Sequence, residues 1–186
     1  DIGDIMNKEF LQSLREQIKS GTVTEQEPMS RHTSFSIGGP ADVFVQPATK
    51  EEIKNAIFCA KEAGVPFFVM GNGSNLLVSD EGFRGMIIQI GKNFQEISVQ
   101  DTVIEVQAGA LLSRTARAAW NAGLTGFEFA AGIPGTTGGA VAMNAGAYGG
   151  EIKDVLLDAQ VLTQDGEFLT LTAEELELSY RHSCIF

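Results

Sequence analysis

An α+β fold in two lobes is predicted by three features of this 186-residue sequence. A capped helix followed by short apolar runs fills the first half, a hairpin followed by a helix fills the second, and the texture changes near residue 91. The length suits one sizeable domain or two small ones. Hydrophobic residues make up 44% and charged residues 20%, which is enough apolar surface for a core and unlike a disordered chain.

The elements follow in order. Lys8 to Lys19 reads as a helix because Phe10, Leu11, Leu14 and Ile18 fall at helical spacing and Gly21 stops it. Phe35 to Val45 reads as two extended pieces around Gly38, Gly39 and Pro40. Thr49 and Glu52 form a capping box for a helix whose inner face is Ile53, Ala56, Ile57 and Ala60, ending at Gly64. Pro66 to Met70 is a continuous apolar run, expected as a strand buried on both faces, and completes a βαβ-like unit. A turn at Gly71 to Asn75 leads to an extended Leu76 to Val78, a second turn at Asp80 to Gly82, and an apolar strand from Met86 to Ile90.

Beyond residue 91, Phe94 to Val99 and Val103 to Val106 read as a hairpin, and Leu111 to Ala122 as a helix with its stripe at Leu112, Ala116 and Ala119. Asp154 to Thr163 pairs with Phe168 to Leu171 across Gln164, Asp165 and Gly166. Thr172 and Glu175 form a second capping box ahead of a short acidic helix to Leu178. The organisation expected is residues 1–30 as an N-terminal helix and lead-in, 31–91 as an α/β lobe and 92–186 as an α+β lobe.

Charge and cysteine usage narrow the function. The formal charge of −11 and the lack of any basic run argue against nucleic acid. Cys59 and Cys184 have neither CxxC spacing nor a histidine cluster, so no disulfide framework and no metal site is expected, and a reducing compartment fits. The first residues lack the basic and apolar regions of a secretory signal, and no run is apolar for long enough to span a membrane. Met6 is read as the natural start, with Asp1 to Ile5 an addition ahead of it.

Glycine carries the strongest functional signal. Residues 126–150 hold eight of the 21 glycines, against 13 in the other 161 residues. Any single glycine is explained by a tight turn, but the run Gly132, Ile133, Pro134, Gly135, Thr136, Thr137, Gly138 and Gly139 suits amide N–H groups aimed at an anion. Thr136 is expected to cap a short helix whose free N–H groups face the loop and hold a phosphate. Gly71, Asn72, Gly73, Ser74 and Asn75 form a second such loop at the end of a strand, where ligands of open sheets sit. A dinucleotide fingerprint fails there because its third glycine would be Leu76, and a P-loop fails for want of a Gly-Lys-Ser/Thr step. Two lysine-free loops, one per lobe, remain to hold a pyrophosphate between the lobes.

Five blocks in series carry a resemblance: Thr33 to Asp42, Gly71 to Val78, Gly132 to Gly135, Met143 to Gly149 (with Asn144 and Gly146), and Tyr180-Arg181. In order and spacing they resemble the UDP-N-acetylenolpyruvoylglucosamine reductases (MurB). The resemblance implies the two-lobed FAD-binding domain of the vanillyl-alcohol oxidase and p-cresol methylhydroxylase type. It also implies noncovalent FAD, NADPH as reductant, and reduction of a UDP-sugar enolpyruvyl ether in cytoplasmic peptidoglycan precursor synthesis. The family is monomeric by the same expectation. Tyr180 and Arg181 match its substrate-binding pair, and Arg181 its substrate-polarising arginine. The family's serine acid and glutamate partner lie in a substrate domain outside Asp1 to Phe186, so the chain is expected to be the FAD-binding part, inactive and prone to self-association alone.

Other readings stand beside this one. A non-catalytic flavin- or nucleotide-binding module is the alternative function. Arg181 has a structural alternative in an ion pair with Glu174, Glu175 or Glu177, and Ser183 occupies the wrong family position for the acid. His32 and His182 lack local acid partners and read as ordinary histidines. Cys59 and Trp120 read as core, while Tyr148 either stacks near the flavin or fills a gap between glycines.

Overall fold

Two stretches of chain, Asp1–Asn93 and Phe94–Phe186, each form a compact unit in the computed structural model, which describes residues 2–185 and their side chains from residue 8 onward. The reading of Met6 as the natural start falls outside the described side chains. In the first unit a four-stranded sheet runs in the order β1-β2-β4-β3. Its strands are β1 (Thr22–Pro28), β2 (Pro40–Gln46), β3 (Phe67–Met70) and β4 (Phe83–Gln89). β1 is antiparallel to β2, and β2 and β3 both run parallel to β4.

Helices α1 (Ile2–Gln17) and α2 (Lys50–Glu62) share one core. Phe10, Leu14, Ile18, Ala56, Cys59 and Ala60 pack with Val43, Val45, Met86 and Ile88. The alternate strand residues Phe44 and Ile87 join Met29, Ala41 and Met70 in a second cluster, backed by Leu76 and Val78. Burial on both faces therefore belongs to β2 and β4, the central strands, as expected of parallel pairing. The apolar run at β3 was expected to share it. β3 lies at the sheet edge instead, and its Phe68 and Val69 are exposed.

Several boundaries move. α1 begins at Ile2, ahead of the expected Lys8, and β1 carries no apolar alternation because it is an exposed edge. Phe35 to Gly39 forms a turn and loop with Phe35 exposed, so only the second of the two extended pieces is a strand. Leu76 to Val78 is irregular, with Leu76 and Val78 packed against the second cluster and Leu77 exposed. Thr49 Oγ1 accepts from the Glu52 amide at 3.1 Å, as half of a capping box. The Glu52 carboxylate turns elsewhere, accepting the amides of Lys19 (2.8 Å), Ser20 (2.6 Å), Gly21 (3.0 Å) and Ala48 (2.7 Å). Burial would raise its pKa, but these four donors together hold it below the ordinary carboxylate value.

The second unit is built on hairpins. β5 (Ile97–Gln100) pairs with β6 (Val103–Val106), and β9 (Asp158–Leu162) with β10 (Phe168–Thr172). Between them lie α3 (Leu112–Asn121), α4 (Thr137–Ala142) and the two-residue strands β7 (Gly146–Ala147) and β8 (Gly150–Glu151). Leu112, Phe129, Ala130, Ala140, Val141, Ile152 and Leu176 form the core. Trp120, expected inside, is 82% exposed, because α3 turns Leu112, Thr115 and Ala119 inward and Trp120 sits 100° past that face. The Thr172 and Glu175 box is reciprocal, with Thr172 N–H on Glu175 Oε2 at 2.8 Å and Glu175 N–H on Thr172 Oγ1 at 3.3 Å. The acidic helix expected after it is a run of turns, closed by Glu177 at φ 52°.

Candidate functional site

In the loop 71–75 the protein uses the carbonyls and leaves amides over. Ser34 N–H donates to Gly73 O at 3.2 Å, and Gln89 Nε2 donates to Gly71 O at 3.1 Å. The N–H groups of Gly71, Asn72 and Gly73 donate to no described residue. Gly73 is buried, Gly71 half-buried and Asn72 exposed, and successive backbone N–H groups without an acceptor can receive an anion. Gly73 has φ +69°, and a Cβ there would overlap the His32 carbonyl oxygen. His32 in turn is fixed by Glu27, with Nε2 to Oε1 at 2.9 Å, and by stacking on Phe44 at 4.2 Å. It therefore has the acid partner that the sequence did not disclose, five residues upstream.

The second glycine loop differs from its expectation. Thr136 does cap α4, its Oγ1 accepting from Gly139 N–H at 3.4 Å. The next two amides are not free: Thr137 N–H donates to Ala110 O and Gly138 N–H to Ala108 O, both at 2.8 Å. Gly138 fits for the same reason, since a Cβ there would lie 2.7 Å from the Ala108 methyl. The amides left over are those of Gly135 and Thr136, which find no acceptor among the described residues although Thr136 is only 4% exposed. Gly132 is exposed and its Cβ would meet nothing within 4 Å, so nothing in this unit requires glycine there. A ligand approaching the backbone would.

Asn144, nominated with this loop, is spent inside the protein. It stands at φ 43° just past α4, where Ala145 N–H donates to Ala140 O and Asn144 N–H to Val141 O, the paired bonds of a Schellman ending. Its Nδ2 donates to Glu151 Oε2 at 2.6 Å and to Ser179 O at 3.2 Å, and its Oδ1 accepts from Lys153 N–H at 3.0 Å. Gly146 lies in β7, opposite Glu151. Ser179 and His182 exchange both backbone hydrogen bonds at 3.1 Å, so Tyr180 and Arg181 form the tip of a tight turn, with Tyr180 89% exposed. Ser183, fully buried, donates to Ala142 O at 2.7 Å and is an anchor. Tyr148 is 99% exposed at the β7–β8 turn, so it fills no gap. Cys59 is buried and Cys184 exposed, both unbridged. Among the described residues no acid, histidine or cysteine cluster suits a metal, and no helix is long and apolar enough to cross a membrane.

Glu151, Ser179, Ala108 and Ala110 were missed in the sequence because each acts through a partner distant in the chain. Backbone amides without an acceptor among the described residues occur in a glycine loop of each unit, neither loop containing a lysine. The chain belongs to the FAD binding domain family, whose model matches residues 41–172. Within it the chain is similar to the UDP-N-acetylenolpyruvoylglucosamine reductases. It is 51% identical to that of Agathobacter rectalis over 97% of this chain and 61% of the relative. The crystal structure of the reductase from Thermus caldophilus is 39% identical, with a TM-score of 0.74 over 88% of this chain and 57% of that one. Physcomitrella patens BBE-like 1, at 22% identity and a TM-score of 0.64, shares the fold. The chain thus spans about three fifths of the reductases it matches.

Proposed function

We propose that this chain is the FAD-binding part of an NADPH-dependent UDP-N-acetylenolpyruvoylglucosamine reductase, working in the cytoplasm on peptidoglycan precursors. The observation that carries the reading is the set of acceptor-less amides at Gly71, Asn72 and Gly73 and at Gly135 and Thr136, in a chain of the FAD binding domain family. Neutral donors of this kind suit a pyrophosphate in a protein of charge −11. Gly132 and Gly139, both exposed, let the cofactor approach the backbone. Asn144 and Gly146 contribute through the shape of the loop after α4, and Ser74, Asn75, Ile133 and Pro134 by lining the two loops.

When bound, FAD supplies the hydride that it has received from NADPH. Charge then develops beside the carboxylate of the enolpyruvyl ether, and a fixed cation stabilises it. Arg181 is that cation, with Tyr180 beside it on the same turn. The proton donor and its carboxylate partner belong to the remainder of the reductase, so residues 1–186 alone bind FAD without turning substrate over. General acid catalysis accounts for ~10²–10⁴ of that loss. The test is Arg181→Ala in the full-length enzyme, followed by half-reactions. Flavin reoxidation by substrate should fall ~10²–10³-fold, as for loss of one preorganised donor, with reduction by NADPH unchanged. An equal fall in both would assign Arg181 to a structural ion pair.

A further inference from the structure

We propose that Asn144 is a positioning residue for the Tyr180-Arg181 turn and not a side-chain ligand of the flavin. The inference rests on the role given to Arg181 above. All of the polar capacity that the Asn144 side chain shows is directed at three protein partners: Glu151 Oε2, Ser179 O and the Lys153 amide. The residue is 4% exposed, so little of it is left for a ligand to touch. What those bonds hold is the shoulder of a turn. Ser179 and His182 close the turn, and Ser183, the residue after it, is tied by its hydroxyl to Ala142 O. The turn is therefore clamped on both shoulders to one place, the C-terminal end of α4.

The opposite end of α4 begins at Thr136, inside the glycine loop. A six-residue helix is about 9 Å long and stiff, so the loop proposed for the cofactor and the arginine proposed for the substrate sit at the two ends of one strut. Both ends lie in the same unit. The clamp also reaches the β7–β8 hairpin through Glu151, whose carboxylate is further paired with Lys153 Nζ at 3.2 Å. Where the side chain of Arg181 can reach depends on where the backbone of this turn is held. Here its backbone is fixed by a buried amide, and a displacement of about 1 Å in such a group is costly for rate.

The choice of substitution separates the side chain from the backbone role. Glycine adopts φ 43° without strain, so Asn144→Gly in the full-length enzyme keeps the end of α4 and deletes the clamp alone. The expected result is flavin reoxidation by substrate slowed tenfold or more, with flavin reduction by NADPH and FAD affinity within twofold of wild type. Amide hydrogen exchange at Ser179 and His182 should accelerate in the same variant. As a second variant, Asn144→Asp puts an oxygen against Glu151 Oε2 and should give the same pattern, and adding Glu151→Gln should restore much of the rate by restoring a donor to the pair. Loss of FAD with both half-reactions slowed equally would make Asn144 a cofactor ligand and overturn the proposal. Unchanged exchange and reoxidation would overturn it as well. If Arg181→Ala slows both half-reactions equally while Asn144→Gly still frees the turn, the clamp is mechanical only, and the positioning role fails together with the role of Arg181.

Discussion

Backbone amides gather around an anion at Lys19 to Gly21 and gather without an acceptor at Gly71 to Gly73. In the first place the anion is the protein's own: Glu52 reaches back and fills the cluster with its carboxylate, which is held below its ordinary pKa. In the second place the amides of Gly71 to Gly73 meet no acceptor among the described residues. Both lie in the same unit and neither uses a lysine or arginine, so the first shows that neutral N–H groups of this chain can hold a carboxylate at 2.6–3.0 Å. Under the proposed function the second is the same device, with its anion supplied by the cofactor.

The largest effect that tests this comparison is loss of cofactor. Gly132→Val should weaken FAD retention by about 100-fold or more, since it blocks the backbone where nothing in its own unit needs the space. The melting temperature of the cofactor-free protein should stay within about 1 °C of wild type, in keeping with surface substitutions. Gly73→Val should also lose FAD, but with a destabilisation of about 2 kcal/mol or more, because φ +69° and the His32 carbonyl both oppose a side chain. Retention of FAD by both variants would remove the two loops from the site.

Glu52→Gln comes next. It should cost about 2–3 kcal/mol at pH 7, measured by urea unfolding, as a buried charged acceptor is lost. The folded carboxyl titrates below its ordinary value of 4.5, so its stabilisation is full above that value and is lost as the pH falls through the folded one. The gap between wild type and Glu52→Gln should therefore close below about pH 4.5. A gap that does not begin to narrow as the pH falls below about 4.5 would mean that the charge does not hold the clasp. The smallest effect is expected of Lys92→Ala, with FAD affinity within twofold by fluorescence titration. A tenfold loss would show that a cation, and not the amides alone, holds the anion.

Much of the fold was legible because its signals are local. Thr49 and Thr172 mark their caps, and the stripe Leu112, Ala116 and Ala119 marks α3. The consecutive apolar residues at β2 and β4 report two-sided burial. β1 was not legible, since an exposed edge strand has no apolar face to alternate. The two-sided burial expected of β3 failed because four apolar residues in a row are the same in a central strand and at an edge, and only pairing distinguishes them. At the site, the glycine loops stood out by density, but density could not say which amides are spent. Gly138 and Gly135 look alike in the sequence. One N–H is taken by Ala108 and the other finds no acceptor among the described residues.

What the sequence determined by itself is therefore the class of fold and the positions of the two lysine-free glycine loops, since these depend on residue type and near neighbours. The tertiary structure decided which amides lack an acceptor among the described residues, that Ser183 is an anchor, and that Asn144 is bonded to the turn carrying Arg181. Those outcomes depend on hydrogen bonds between residues seven to 41 positions apart, and a polar group's partner is set by where the packed core brings the chain together.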